Sequence, residues 1–357
     1  MRAIVLSHLY LDPDRRGKLR ALAGLGVAVA AAVPGGVAGE DHGVRMVPVA
    51  SSGDPGEPES IEWSARALRR LITDFRPDLI QVEEEPGTRV SAKAAAEATR
   101  LGIPLVLFSQ SRGPAPSLGR RRRAARAFRA ARAAIGGNPF AVQRLREALP
   151  GRPVVLMAQT GVSLPPPVER PRREDLCIGY VGRLLPDRRV DALLRSCAML
   201  MGTWNLTIAG TGPEQEALEL LAQRLGLASR VRWLGGVGRA QIEALWPELD
   251  CLVLPAGPEA GGSERWSTIL IEAMARGVIP VVMEGGIPAA IVGAAGTVTR
   301  DNESLGVALQ TLLAYPEERP RLTAAARQRV LDHFVDAALA DQTLKLWQHI
   351  LSAPPIP

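Results

Sequence analysis

Lysine, aromatic residues and cysteine are all scarce in this chain of 357 residues, and each scarcity narrows what the protein can be. Only Lys18, Lys93 and Lys345 are lysines, so the 43 basic side chains are nearly all arginine, set against 37 acidic ones. The net charge of +6 is spread along the chain and is discounted as a sign of nucleic-acid binding. One local run stands apart: Arg120-Arg-Arg-Arg123, followed by Arg126, Arg129 and Arg132. Aromatics at 4% leave the core to Ala, Val, Leu and Ile. The three cysteines, Cys177, Cys197 and Cys251, lack metal-ligand spacing and lie in apolar segments, so they read as buried reduced thiols. No apolar run is long enough to span a bilayer, since Val27–Val33 stops at Pro34-Gly35-Gly36. Met1–Ser7 reads as a buried strand and not as a signal peptide, which makes the cytoplasm the expected compartment.

What is present is alternation. Short apolar runs (Ala3–Ser7, Gly26–Val33, Val44–Val49, Leu79–Val82, Pro104–Ser109, Ala133–Gly136, Val154–Ala158) are separated by helix-period segments such as Ile61–Phe75, Val90–Leu101 and Pro139–Leu149. Strands that are apolar throughout, between amphipathic helices, point to a parallel sheet covered on both faces. The proline- and charge-rich stretch Leu164–Asp175 continues neither pattern and reads as a linker. The alternation then restarts with strands at Leu176–Val181, Asn205–Ala209, Val231–Leu234, Cys251–Pro255 and Ile279–Met283. The last sixty or so residues read as helical, with breaks near Pro316 and Pro320. The expectation is α/β: two Rossmann-like domains, 1–165 and 166–335, facing across a cleft, with a helix over 336–357 returning to the first.

Three glycine-bearing turns follow strands of the second domain: Gly182-Arg183, Gly210-Thr211-Gly212 and Gly285-Gly286. Each offers backbone N–H groups to a phosphate, although one such turn alone is more often a matter of tight geometry. Arg183 and Arg188 flank the first of them and suit the charge that develops on a departing diphosphate. Glu264 and Glu272 stand eight residues apart. Ser267 or Thr268 caps a helix there, which leaves Glu264 in the loop and projects Glu272 from the second turn. One carboxylate could take ribose hydroxyls and the other sugar hydroxyls, with free amides facing the phosphates between them. Glu272 lies within Ile269-Leu-Ile…Ala273-Met274, where an unpaired charge is costly.

The second domain resembles the family 4 retaining glycosyltransferases of the GT-B fold. Tyr180-Val-Gly-Arg-Leu184, Ile208–Glu214, Trp233-Leu-Gly235, Leu252–Pro255, the Glu-x7-Glu stretch and Ile279–Val282 with Gly285-Gly286 carry the likeness. The first domain is similar more loosely, through Pro77–Ile80, Glu83–Pro86, Gly137-Asn138 and Gln159–Val162. The resemblance implies that Glu272 binds the donor ribose, that Glu264 lies beside the donor sugar and that Arg183 holds the diphosphate. Arg188 stands where the family usually has lysine, and Arg265 and Ser267 stand where it usually has glycine. Gly17, after Arg15-Arg16, is the one remnant of a glycine pair, and no Glu follows Pro288. The implied reaction is front-face displacement from a UDP- or GDP-type sugar onto a carbohydrate or lipid-linked hydroxyl, with no metal and no cofactor. His8 and Glu85 are acceptor-side candidates.

Arg122, Arg126 and Arg129 share a helix face, and the segment Arg120–Arg132 suits peripheral contact with anionic lipid. A solvated helix face accounts for it equally well. Two other classes stay open: a non-catalytic nucleotide-sugar-binding or membrane-adaptor protein, and a nucleotide-sugar epimerase or hydrolase on the same fold.

Overall fold

In a computed structural model, residues 1–53, 60–111, 113, 117–162, 164–166, 173–257 and 268–353 are described. They form two compact units, Met1–Gly161 with Phe334–Pro357, and Val162–His333.

The first unit contains strands β1 (Arg2–Leu6), β2 (Ala28–Pro34), β3 (Gly39–Asp41), β4 (Val44–Val49), β5 (Ser51–Ser52), β6 (Glu62–Trp63), β7 (Leu79–Val82), β8 (Leu105–Ser109), β9 (Ala131–Gly136) and β10 (Val154–Leu156). Eight make one sheet in the order β10-β9-β8-β7-β1-β2-β4-β3, parallel except for β3, while β5 and β6 pair with each other. The chain builds outward from β1 to one side, then returns to add β7 on the other, so the order reverses between β1 and β7. Helices α1 (Gly17–Gly24), α2 (Ala65–Phe75), α3 (Arg89–Leu101), α4 (Leu118–Ala130) and α5 (Pro139–Ala148) cover the sheet. Ser64, Thr88, Ser117 and Asn138 cap the last four of these, each side-chain oxygen accepting from the amide three residues on. Alanine and valine in β2 let the helices approach closely, which suits a core poor in aromatics.

The second unit has β11 (Leu176–Val181), β12 (Trp204–Ala209), β13 (Val231–Gly235), β14 (Cys251–Leu254), β15 (Ile279–Met283) and β16 (Thr297–Thr299), all parallel, in the order β13-β12-β11-β14-β15-β16. Here the order reverses between β11 and β14. Its helices are α6 (Val190–Ala198), α7 (Gln215–Arg224), α8 (Arg239–Leu245), α9 (Thr268–Ala275), α10 (Gly286–Val292), α11 (Asn302–Ala314) and α12 (Arg319–His333). The last helix, α13 (Asp336–Ser352), belongs to the first unit, where it packs on α1 and buries Trp347 completely.

Several local expectations change. The arginine helix ends at Ala130, and Arg132 lies in β9, donating to the carbonyls of Ile350 and Ala353 at the end of α13. Helix α2 starts only after Ser64, because Glu62–Trp63 pair with Ser51–Ser52. Pro320 does not break a helix but stands in the first turn of α12, where its missing N–H costs nothing. Of the linker Leu164–Asp175, only 164–166 and 173–175 lie within the described residues. All three cysteines are buried free thiols, and burial pushes Cys197 up to about 12.

Candidate functional site

In a doubly wound parallel sheet, ligands gather beyond the carboxyl ends of the strands where the order reverses. In the second unit that point lies past β11 and β14. Gly182 and Arg183 follow β11 directly, and Arg188 closes the short 3-10 turn Pro186–Arg188. Together with Tyr180, Leu254, Pro255, Ile269 and Pro288 they line a cavity of about 170 Å³. Arg183 is exposed and makes no ion pair among the described residues, whereas Arg188 Nε lies 3.7 Å from Asp187 Oδ1. The Tyr180 hydroxyl donates to the Arg183 carbonyl at 2.7 Å and so fixes the turn that carries this arginine. Burial pushes the Tyr180 phenol far above its usual value, against the opposing charge of Arg188.

Gly210 and Gly212 pack backbone on backbone against the same turn. A Cβ at Gly210 would lie 1.8 Å from the Gly182 carbonyl oxygen, and one at Gly212 would lie 2.0 Å from that of Leu184. The Leu184 N–H donates to the Thr211 carbonyl at 2.9 Å across this junction. Both glycines are thus required by the contact between two loops, whatever else their amides meet. Gly285 and Gly286 open α10 at φ +83° and +77°, a conformation that other residues adopt only with strain.

Helix α9 begins at the exposed Thr268. Its second turn carries Glu272, whose Oε1 accepts from Arg239 Nη1 at 3.1 Å. The carboxylate within the apolar run is therefore paired, by a residue 33 positions earlier that no sequence pattern connects to it. Glu264, Arg265 and Ser267 lie outside the described residues.

The first unit has its own reversal point, between β1 and β7, and acidic side chains cluster there. The backbone N–H of His8 donates to Glu84 Oε1 at 2.7 Å, and His8 Nδ1 lies 2.6 Å from the same oxygen. Glu83 is fully buried and takes three donors: Lys18 Nζ, Tyr10 Oη and Gln81 Nε2, each at 2.6 Å. Lys18 also donates to the Gln159 carbonyl, and Trp347 Nε1 donates to Gln81 Oε1 at 2.8 Å, which ties α13 into the network. Burial, then the charge of Glu83, pushes the Tyr10 phenol well up. Glu85 accepts from Ser109 Oγ and from the Gln110 N–H at 2.6 and 2.7 Å, and burial raises its carboxyl above the usual range. Behind it lies a cavity of about 100 Å³, against Arg120, Phe128 and Arg144.

Gly17, at the start of α1, meets a side chain of its own unit. A Cβ there would fall 1.8 Å from Asp336 Oδ2, and the backbone amides of Lys18 and Gly161 hydrogen-bond that carboxylate. An internal acid thus caps the helix end at which the resemblance implies a diphosphate contact. Lys18 and Tyr10 were not singled out from sequence. The one available signal was that Lys18 is a rare lysine in a chain that otherwise uses arginine. Among the described residues no group of three His, Cys, Asp or Glu side chains is placed to hold a metal, and no helix is long and apolar enough to cross a membrane.

Comparison with known proteins agrees with this arrangement. Residues 166–329 match the family model "Glycosyl transferases group 1", and residues 16–158 match "Glycosyl transferase 4-like domain". The chain is 28% identical over 209 residues to a glycogen synthase of Mycobacterium tuberculosis, covering 56% of this chain and 49% of that one. It is 30% identical over 164 residues to a GDP-mannose-dependent alpha-(1-6)-phosphatidylinositol monomannoside mannosyltransferase of Mycolicibacterium smegmatis, covering 43% of each. The chain therefore spans about half the length of these relatives. In fold it is similar to the Anabaena protein HepE solved in complex with UDP, with TM-score 0.64 and 17% identity over 98% of this chain and 100% of that one. With two family models that between them match most of its length, and a whole-chain likeness in fold, the chain belongs to the family 4 glycosyltransferases of the GT-B fold.

Proposed function

We propose that the protein transfers a sugar from a UDP- or GDP-type nucleoside diphosphate sugar to a hydroxyl of a carbohydrate or lipid-linked acceptor, retaining the anomeric configuration without metal or other cofactor. The observation that carries this reading is the position of Arg183 and Arg188. Both line the cavity at the reversal point of the second sheet, beside the first turn of α9, the helix that bears Glu272. As the bond between the anomeric carbon and the β-phosphate oxygen breaks, these guanidinium groups take up the charge of the departing diphosphate. The acceptor oxygen bonds to the same face of the sugar, and its proton passes to an oxygen of the leaving phosphate. Glu272 receives the ribose diol, Glu264 stands beside the sugar, and Ser267, Thr268, Gly210 and Gly212 contribute polar contacts around the donor. His8 and Glu85 serve the acceptor side. The exposed Arg122, Arg126 and Arg129 of α4 meet an anionic lipid surface when the acceptor is membrane-borne. The names of the relatives support a nucleotide-sugar donor: one is GDP-mannose-dependent, and HepE was solved with UDP.

Thermal shift against UDP, GDP, ADP and dTDP tests the reading. Stabilisation by one of them, lost in Glu272→Ala, is expected. No stabilisation by any of the four, with Glu272→Ala indistinguishable from wild type, would overturn it. A second reading, donor binding without transfer, is favoured by the Asp336 carboxylate on Gly17. Release of nucleoside diphosphate with sugar appearing on any acceptor eliminates it.

A further inference from the structure

Glu272, assigned above to the donor ribose, already has a partner, and the nature of that partner carries a consequence. Its side chain is 16% exposed and, among the described residues, accepts one hydrogen bond, on Oε1 from Arg239 Nη1. Arg239 opens α8 and is 71% exposed, so its guanidinium has solvent to move into when it is displaced from the carboxylate it holds. The same guanidinium is shared: Nη2 lies 3.3 Å from Glu243 Oε1, one turn further along α8. Glu243 is in turn held by Arg276 Nη2 at 2.6 Å, and Arg276 Nη1 donates to the Glu272 carbonyl at 2.9 Å. Arg276 therefore joins α8 to α9 independently of the Arg239–Glu272 pair. When the guanidinium of Arg239 leaves Glu272, the Arg276 contacts still bridge the two helices, and Glu243 is already in place to keep its charge paired.

We infer that Arg239 is an internal competitor for the donor ribose: it occupies Glu272 in the free protein and yields it to a vicinal diol, with Glu243 retaining the displaced guanidinium. This inference rests on the donor reading of Glu272. A vicinal diol brings two O–H donors to a carboxylate that Arg239 engages with one N–H in an exposed ion pair, and a pair of that kind is weak enough for ribose to displace. A nucleotide without those hydroxyls has nothing to offer Glu272 and leaves the ion pair formed. Arg239 thereby sets how much of the ribose contact appears as affinity. An exposed pair of this kind is worth a factor of about two to five in an equilibrium constant.

Titration calorimetry with UDP and GDP, and with their 2′,3′-dideoxy forms, tests this on wild type, Arg239→Gln and Glu243→Gln. In Arg239→Gln the ribonucleotide binds about two- to fivefold tighter while the dideoxy form is unchanged. In Glu243→Gln, where Arg239 has only Glu272 left to pair with, the ribonucleotide binds more weakly than in wild type. Unchanged or weaker ribonucleotide binding in Arg239→Gln overturns the inference, as does equal tightening of both forms. If wild type binds none of the four nucleotides, the donor reading itself fails and the inference falls with it. If wild type binds but Arg239→Gln shows no selective gain, only the competition is refuted.

Discussion

The two sheets reverse their strand order in the same way, yet the groups gathered at the two reversal points are in opposite states. Past β1 and β7, nearly every polar group has found a partner within its own unit. Glu83 takes Lys18, Tyr10 and Gln81, Glu84 takes His8, Glu85 takes Ser109 and Gln110, and Gly17 lies under Asp336. Past β11 and β14, Arg183 is exposed beside a cavity and makes no ion pair among the described residues, and Glu272 is held there by the exposed Arg239. A buried network of satisfied charges rigidifies a sheet edge, and partly satisfied charges at a cavity leave free energy for a ligand. The same topological position thus holds a largely satisfied network around Glu83 in one unit and, under the proposed function, the donor site in the other.

Mutations that break this contrast have graded effects. The largest belongs to the network around Glu83. Lys18→Met leaves Glu83 buried beside an apolar chain and destabilises the protein by about 3 kcal/mol. Denaturant unfolding followed by tryptophan fluorescence reads this directly, and a loss below about 1 kcal/mol would mean that Glu83 is satisfied without its lysine. Next comes the proposed donor site, where Arg183→Ala lowers kcat/KM by about a hundredfold. The same variant keeps the wild-type unfolding curve, because among the described residues no buried group is bonded to that side chain. A large shift in unfolding would instead place Arg183 among the structural groups.

Smaller effects sharpen the comparison. Burial raises the carboxyl of Glu85 despite its two hydrogen bonds, so the fold prefers its protonated form. A raised carboxyl value means that stability is fully retained below the unfolded value and declines as pH rises towards the folded one. Glu85→Gln removes that decline. Its melting temperature relative to wild type therefore rises between pH 4 and pH 7.5, and a difference independent of pH would contradict the assignment. The smallest effect is peripheral: replacing Arg122, Arg126 and Arg129 with serine costs binding to vesicles of anionic lipid by about 1 kcal/mol per residue. Sedimentation with such vesicles measures it, and equal sedimentation of both proteins at low salt would remove the membrane from the acceptor reading.

Much of this was legible without coordinates. Strands β1, β8, β11, β14 and β15 are almost wholly apolar, and a run of that kind has few places to go except the middle of a parallel sheet. The turn at Gly210 and Gly212 was visible because glycine is needed where two backbones touch. Short elements were not. Gly39–Asp41 and Ser51–Ser52 are strands only because a neighbour offers its edge, and two or three residues carry no period of their own. Arg132 was drawn into the preceding helix by its charge, whereas strand pairing with β8 and the carbonyls at the end of α13 settle its place.

Hydrophobic periodicity and glycine placement are properties of consecutive residues, so the sequence by itself determined the α/β class, the two sheets, and the candidacy of Arg183, Arg188 and Glu272. Which charges are spent internally depends on residues that meet from afar. Lys18 reaches Glu83 across 65 positions, Arg239 reaches Glu272 across 33, and Asp336 closes on Gly17 from the last helix. Coulomb and hydrogen-bond partners act over a few ångströms of space and are indifferent to separation along the chain. Only the tertiary structure could therefore decide that one cluster of acids is largely satisfied within its own unit and that the carboxylate assigned to the donor begins with an occupant.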